Sequence, residues 1–138
     1  MYKSIVIAAA LFNEGATTRD ALKRAQAMLD DGGTVTLVHV IEEVPGYVAS
    51  AIPHTHLATR RSEVAEALAA IAAEFPQMKS QSFVRTGQPA ATILDVAAEV
   101  GGDLIMIASH KPGLSDYFIG STAARVVRHA PISVLVTR

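Results

Sequence analysis

The chain contains no cysteine, and its 12 lysines and arginines against 13 aspartates and glutamates leave a formal net charge of only -1. The first absence rules out a disulfide framework, thiolate chemistry and any zinc site built on cysteine. Acids and bases are mixed along the chain, so there is no basic stripe to track a phosphate backbone, and no nucleic acid partner is expected. No stretch reaches the roughly 20 apolar residues that span a bilayer. The opening MYKSIVIAAALFNEG has one lysine before a short apolar run and lacks the length and cleavage pattern of a signal peptide. A cytoplasmic location with no membrane partner is the expectation. There is no internal repeat or low-complexity tract, and neither GxxxxGK[ST] nor GxGxxG occurs, so the usual phosphate-binding fingerprints are missing.

What remains is an apolar, alternating chain. Half of the 138 residues are apolar, enough for one domain with a proper core over residues 1–138 and too few for two. Residues 4–10 and 104–108 are uninterrupted apolar runs, the pattern of strands covered on both faces in a parallel sheet. Residues 34–41, TVTLVHVI, are rich in β-branched residues and make another strand; residues 81–85 are a weaker one that reads as an edge, and residues 132–137 are the last. Between them fall four helices. The first is capped by Thr17 or Thr18, buries Leu22, Ala25 and Leu29, and stops at Asp31-Gly32-Gly33. The second carries Val64, Leu68, Ile71 and Phe75 at helical spacing and stops near Pro76, after a long loop over residues 42–55. The third opens at Gly87-Gln88-Pro89 and the fourth at Gly120-Ser121-Thr122. Strand–helix alternation of this kind predicts a doubly wound, five-stranded parallel α/β sheet, Rossmann-like, in the order 3-2-1-4-5, with a crevice between strands one and four.

The loop after Ala108 opens into that crevice. Ser109, His110 and Lys111 stand at the end of the fourth strand, and the last helix starts at Gly120, Ser121 and Thr122, where unpaired N–H groups and the positive dipole end favour an anion. Backbone donors, two hydroxyls and the Lys111 charge together suit a triphosphate. The same residues also fit a plainer account, with Ser121 as an ordinary N-cap and Lys111 on a solvated loop. His54-Thr55-His56 lacks a fixed third ligand for a metal. Ser109-His110 lacks an acid to orient the imidazole, and adjacent side chains on an extended segment point to opposite faces, so no catalytic residue is assigned. His39 reads as a core histidine holding one hydrogen bond.

The block IASHKPGLSDYFIGSTAARVVRHAPISVLVTR resembles the C-terminal block of the universal stress protein family, and MYKSIVIA, TLVHVIEE and GQPAATILDVAAEVGGDLIMIAS match in order, so the likeness covers nearly the whole chain. Of the family's Gly-x2-Gly-x9-Gly-[Ser/Thr] pattern only the final Gly120-Ser121 is present; the loop Ser109-His110-Lys111-Pro112 is similar to a shorter SH[R/K]P subgroup that also binds ATP. The resemblance implies an adenine nucleotide, ATP with or without Mg²⁺, in a stress-response regulator. It implies backbone recognition of adenine at Val40, and it places Ala10 where the family usually has an aspartate lining the adenosine side, with Asn13 and Glu14 as the nearest polar substitutes. The resulting site is Ala10, Val40, Ala108, Ser109, His110, Lys111, Gly120, Ser121 and Thr122. The family commonly pairs its last strand with a twofold mate, which implies a homodimer through Val134, Leu135 and Val136. The alanines at positions 8–10 favour an alternative, a nucleotide-free dimeric scaffold acting through protein partners. At most a weak ATPase or autophosphorylating activity, with Ser121 or Thr122 as acceptor, ranks behind both.

Overall fold

The structure, a computed structural model, describes residues 1–43, 46–109 and 119–138. Strands β1 (Tyr2–Ala8), β2 (Leu29–Glu42), β3 (Lys79–Gly87), β4 (Leu104–Ala108) and β5 (Ser133–Thr137) form one sheet, with helices α1 (Ala16–Met28), α2 (Gly46–Ala49), α3 (His54–Ala73), α4 (Pro89–Glu99) and α5 (Ser121–His129). The strand order is β3-β2-β1-β4-β5 and every pairing is parallel, the expected 3-2-1-4-5 arrangement.

Both faces of the central strands are buried, which is why their sequence does not alternate in polarity. Ile5, Ile7, Leu104 and Met106 pack with Leu22 and Ala25 of α1 and with Val64, Leu68 and Ile71 of α3. The intervening Val6, Ile105 and Ile107 pack on the other face with Ile93 and Val96 of α4 and with Ala123 and Val126 of α5. The helices that lead outward from β1 toward β3 therefore share one face, and those that return toward β5 share the other, as right-handed crossovers require.

Several boundaries differ from those read in the sequence. β1 begins two residues earlier than expected and ends at Ala8 rather than residue 10. α1 stops at Met28, and residues 31–33 do not terminate it; β2 already pairs Leu29 with Tyr2, then shifts register before Ser4 meets Thr34. Gly32, at φ 77°, lies within that irregularity, so its left-handed backbone serves a bulge in place of a helix stop. The 42–55 stretch is not all loop: one turn of helix forms α2, and α3 starts at His54. The described side chains from Thr55 to Glu63 are all exposed, so these early turns carry no apolar stripe to read, and the period becomes visible only at Val64. β3 extends over Lys79–Gly87 and is an edge strand, as expected.

At the N-terminal end of the central pair, the Asp103 carboxylate accepts hydrogen bonds from the backbone N–H of Lys3 (2.9 Å) and Ser4 (3.0 Å), while Asp103 N donates to Ser4 O (2.9 Å). Burial pushes the Asp103 carboxyl up, but the N–H groups of Lys3, Ser4 and Asp103 itself, with the Lys3 charge, outweigh it and hold the carboxyl below its ordinary value. A lowered folded-state value means that the contribution to stability is full above the unfolded-chain value of about 3.9 and fades as pH falls through the folded one. Asp103→Asn is expected to cost about 1–2 kcal/mol at pH 7. Urea unfolding of both chains at pH 7 and pH 3 checks this: the gap should narrow at pH 3, and equal stability at pH 7 would refute the clamp.

Candidate functional site

At the opposite end of the same strands the chain leaves β1 and β4 on opposite faces, and a crevice opens. The exit from β1 is a sharp left-handed turn, with Asn13, Glu14 and Gly15 at φ 52°, 58° and 79°. Two of these three are not glycine, an arrangement that costs backbone energy and needs outside support. Support comes from the Arg19 guanidinium, which donates to Glu14 O and to both oxygens of Glu74, the C-cap of α3. Its hydrogen bond to Glu74 is the main reason the Arg19 value is raised and the Glu74 value lowered, burial opposing in each case. The N-cap of α1 is Gly15, not Thr17 or Thr18.

Thr18 has another task. Its buried hydroxyl accepts from Ala10 N (2.9 Å) and donates to Ala10 O (2.8 Å). Ala9 is held from the other side: its N–H donates to Val38 O (2.8 Å), and its carbonyl accepts from Nδ1 of His39 (3.2 Å). His39 makes the single hydrogen bond expected among the described residues, but it is half-buried and not in the core. The backbone N–H and carbonyl groups of Ala9 and Ala10 are thereby committed inside the protein.

A cavity of about 200 Å³ lies at this switch point, lined by Ala8, Ala9, Val38, His39, Val40, Glu42, Pro89, Ile93, Ile107 and Thr122. Val40 and Thr122 thus come together with the β1 end as the sequence predicts, but the β1 residues in the wall are Ala8 and Ala9, and Ala10 is not among them. Asn13 and Glu14 do not line it either. Val38, His39, Glu42, Pro89, Ile93 and Ile107 were missed by sequence reasoning, His39 because it reads as a core residue. For Glu42 a signal existed, because alternation along β2 puts residues 38, 40 and 42 on one face. Fully enclosed sites for drug-sized ligands measure roughly 300–1,000 Å³, so this volume suits a portion of a ligand whose remainder extends outward. A larger groove of about 600 Å³, between the end of α3 and the edge strand β3 near Phe75 and Gln81, is far from the switch point.

The other half of the site is the start of α5. Gly120 is its N-cap, so Ser121 is not the cap, and among the described residues no side chain caps the helix. The first intrahelical bond runs from Ala124 N to Gly120 O (2.9 Å), which leaves the N–H groups of Ser121, Thr122 and Ala123 ahead of the ladder at the positive end of the helix. Gly120 N donates to Ser109 O at 2.6 Å, and Ser109 N donates to Thr137 O at 2.8 Å. A Cβ on Gly120 would lie 2.3 Å from Ser109 O, so only glycine permits this approach. Ser109 is buried and Ala108 half-buried at the end of β4. His110 and Lys111 lie outside the described residues. Among the described residues, no group of three or more His, Asp or Glu side chains is placed to hold a metal ion.

The profile of the Universal stress protein family matches residues 1–138. Universal stress protein G of Shigella flexneri is 30% identical over 146 residues, with 100% of each chain covered. Among solved structures, a hypothetical protein whose biochemical function was assigned from its structure superposes with a TM-score of 0.78 at 26% identity, over 99% of this chain and 96% of its own. A universal stress protein in complex with cAMP has a TM-score of 0.64 at 19% identity (99% and 97% covered), and one from Archaeoglobus fulgidus in complex with dAMP has 0.66 at 20% (99% and 98%).

The Thr18 bridge makes a direct prediction. Thr18→Val keeps the shape but strips Ala10 N and O of their partner in the interior, and is expected to cost about 2 kcal/mol. Denaturant unfolding measures it; a change below about 0.5 kcal/mol would mean that the β1 wall is held by other contacts.

Proposed function

The chain belongs to the universal stress protein family, and from that membership we propose that it binds ATP or a related adenine nucleotide in the crevice between β1 and β4, as a cytoplasmic regulator of the stress response. The observation that carries the reading is the meeting of a switch-point cavity with an uncapped helix start at Gly120, two features with independent physical reasons to attract a nucleotide. The nucleoside lies against the β2 segment at Val40, within reach of its backbone, and the phosphates lie toward Ser121 and Thr122. Lys111, two residues after Ser109 in the sequence, adds positive charge. Any Mg²⁺ is carried on the phosphates. The cAMP and dAMP held by family members of the same fold support an adenine nucleotide; the triphosphate is the proposal's own step.

Calorimetry with ATP tests it, together with mass spectrometry of freshly purified, denatured protein for co-purified nucleotide. Gly120→Val should lose binding at least about tenfold, because the new side chain drives α5 away from Ser109 O. No heat at millimolar ATP would overturn the reading.

A second reading, a nucleotide-free dimeric scaffold, is favoured by the methyl-lined β1 wall. Dimerisation is common to both readings and is proposed through β5. Among the described residues this strand pairs only with β4, and Val134, Leu135 and Val136 are half-buried. The other edge is blunted by charge: Arg61 donates to Val84 O (2.8 Å), and Arg85 pairs with Glu99 (3.0 Å). An open apolar edge opposite a charged one favours self-pairing at β5. Sedimentation at micromolar concentration should show a dimer, and a monomer would refute the interface.

A further inference from the structure

Among the described residues, Glu42 brings the one acidic side chain into the cavity lining. It is the last residue of β2, in register with Gly87 of β3. Alternation puts its side chain on the face of Val38 and Val40, the face that packs toward α4 and α5. It is exposed, and among the described residues no cation lies within ion-pair distance of it. The β1 wall is apolar: Ala8 packs with the α4 and α5 side, Ala9 carries only a methyl, and the amide and carbonyl of Ala9 are bonded to β2, the carbonyl by Nδ1 of His39, which also lines the cavity. Pro89, Ile93 and Ile107 are apolar, and Thr122 belongs to the α5 end, where N–H donors gather.

The cavity is therefore polarised. Donors lie at α5 and a full negative charge at the end of β2, so an anionic ligand is oriented with its phosphates away from Glu42, and whatever approaches Glu42 must donate a hydrogen bond. We infer that Glu42 is a specificity-determining residue of the crevice, its carboxylate accepting a hydrogen bond from a donor on the nucleoside, either the exocyclic amine of the base or a sugar hydroxyl. This rests on the crevice being a nucleotide site. A ligand with a carbonyl in place of the amine would set two acceptors against each other, and one lacking the hydroxyl would leave the carboxylate without its partner.

The test is calorimetry of the full chain and of Glu42→Ala and Glu42→Gln with four ligands: ATP, inosine triphosphate, 2′-deoxy-ATP and 3′-deoxy-ATP. If the amine is the donor, the unmodified chain prefers ATP over inosine triphosphate by about fivefold; if a hydroxyl is, the preference is over one deoxy analogue. Glu42→Ala should reduce that preference to within about twofold. Glu42→Gln, which keeps a carbonyl acceptor without the charge, should retain most of it. Melting curves matching the unmodified chain confirm that both variants fold. An equal change in affinity for all four ligands in Glu42→Ala, in either direction, overturns the inference, since the carboxylate then acts through charge alone, while ATP binding to the unmodified chain still upholds the nucleotide reading. Absence of binding by every ligand to the unmodified chain removes both.

Discussion

Lys3 and Asp103 stand 100 residues apart in the chain, yet their backbones lie side by side, because β1 and β4 pair in parallel at the centre of the sheet. That pairing forces the rest. Parallel neighbours require crossovers, the crossovers place α1 and α3 on one face and α4 and α5 on the other, and both strands must then be apolar throughout. Hydrogen bonds from Lys3 and Ser4 to the Asp103 carboxylate close the pair at its N-terminal end. At the other end the chain departs toward opposite faces, so the strands part and a crevice opens. One strand pair thus supplies both the rigid floor of the site and its opening.

The two walls of the crevice differ in chemistry. On the α5 side an uncapped helix start offers backbone donors at close range because Gly120 has no side chain to hold Ser109 away. On the β1 side the main chain of Ala9 and Ala10 is consumed by Thr18, Val38 and His39, and Ala8 and Ala9 add no polar side chain. The β2 end contributes an acidic side chain, Glu42. Such a cavity imposes a direction on a ligand that has an anionic end and an uncharged one, with few individual hydrogen bonds.

The sheet was legible because its central strands have no alternative. Uninterrupted apolar runs such as residues 104–108 must be covered on both faces, and the β/α alternation then admits few orders. Gly120-Ser121-Thr122 was legible as a helix start for the same local reason. What escaped depended on distant partners. Thr18 carries the composition of a cap, and only the fold brings Ala10 within reach of its hydroxyl. Residues 31–33 have the composition of a helix stop, but Leu29 is already captured by Tyr2 across the sheet. The first turns of α3 show no apolar stripe because they bury nothing. Glu42 looked like the first residue of a loop, and only the length of β2 turns it toward the cavity.

Ser109 is one peptide joint shared by two assemblies. Its amide prolongs the β4–β5 ladder to Thr137, while its carbonyl receives Gly120 at the head of α5. Because both bonds pivot on a buried residue, the outer strand and the helix start behave as arms of a single lever with a fixed fulcrum. The outer strand thus cannot be repositioned without straining the residue that also holds the donors at the crevice mouth. By reciprocity, anything that tightens the mouth stiffens the edge of the sheet.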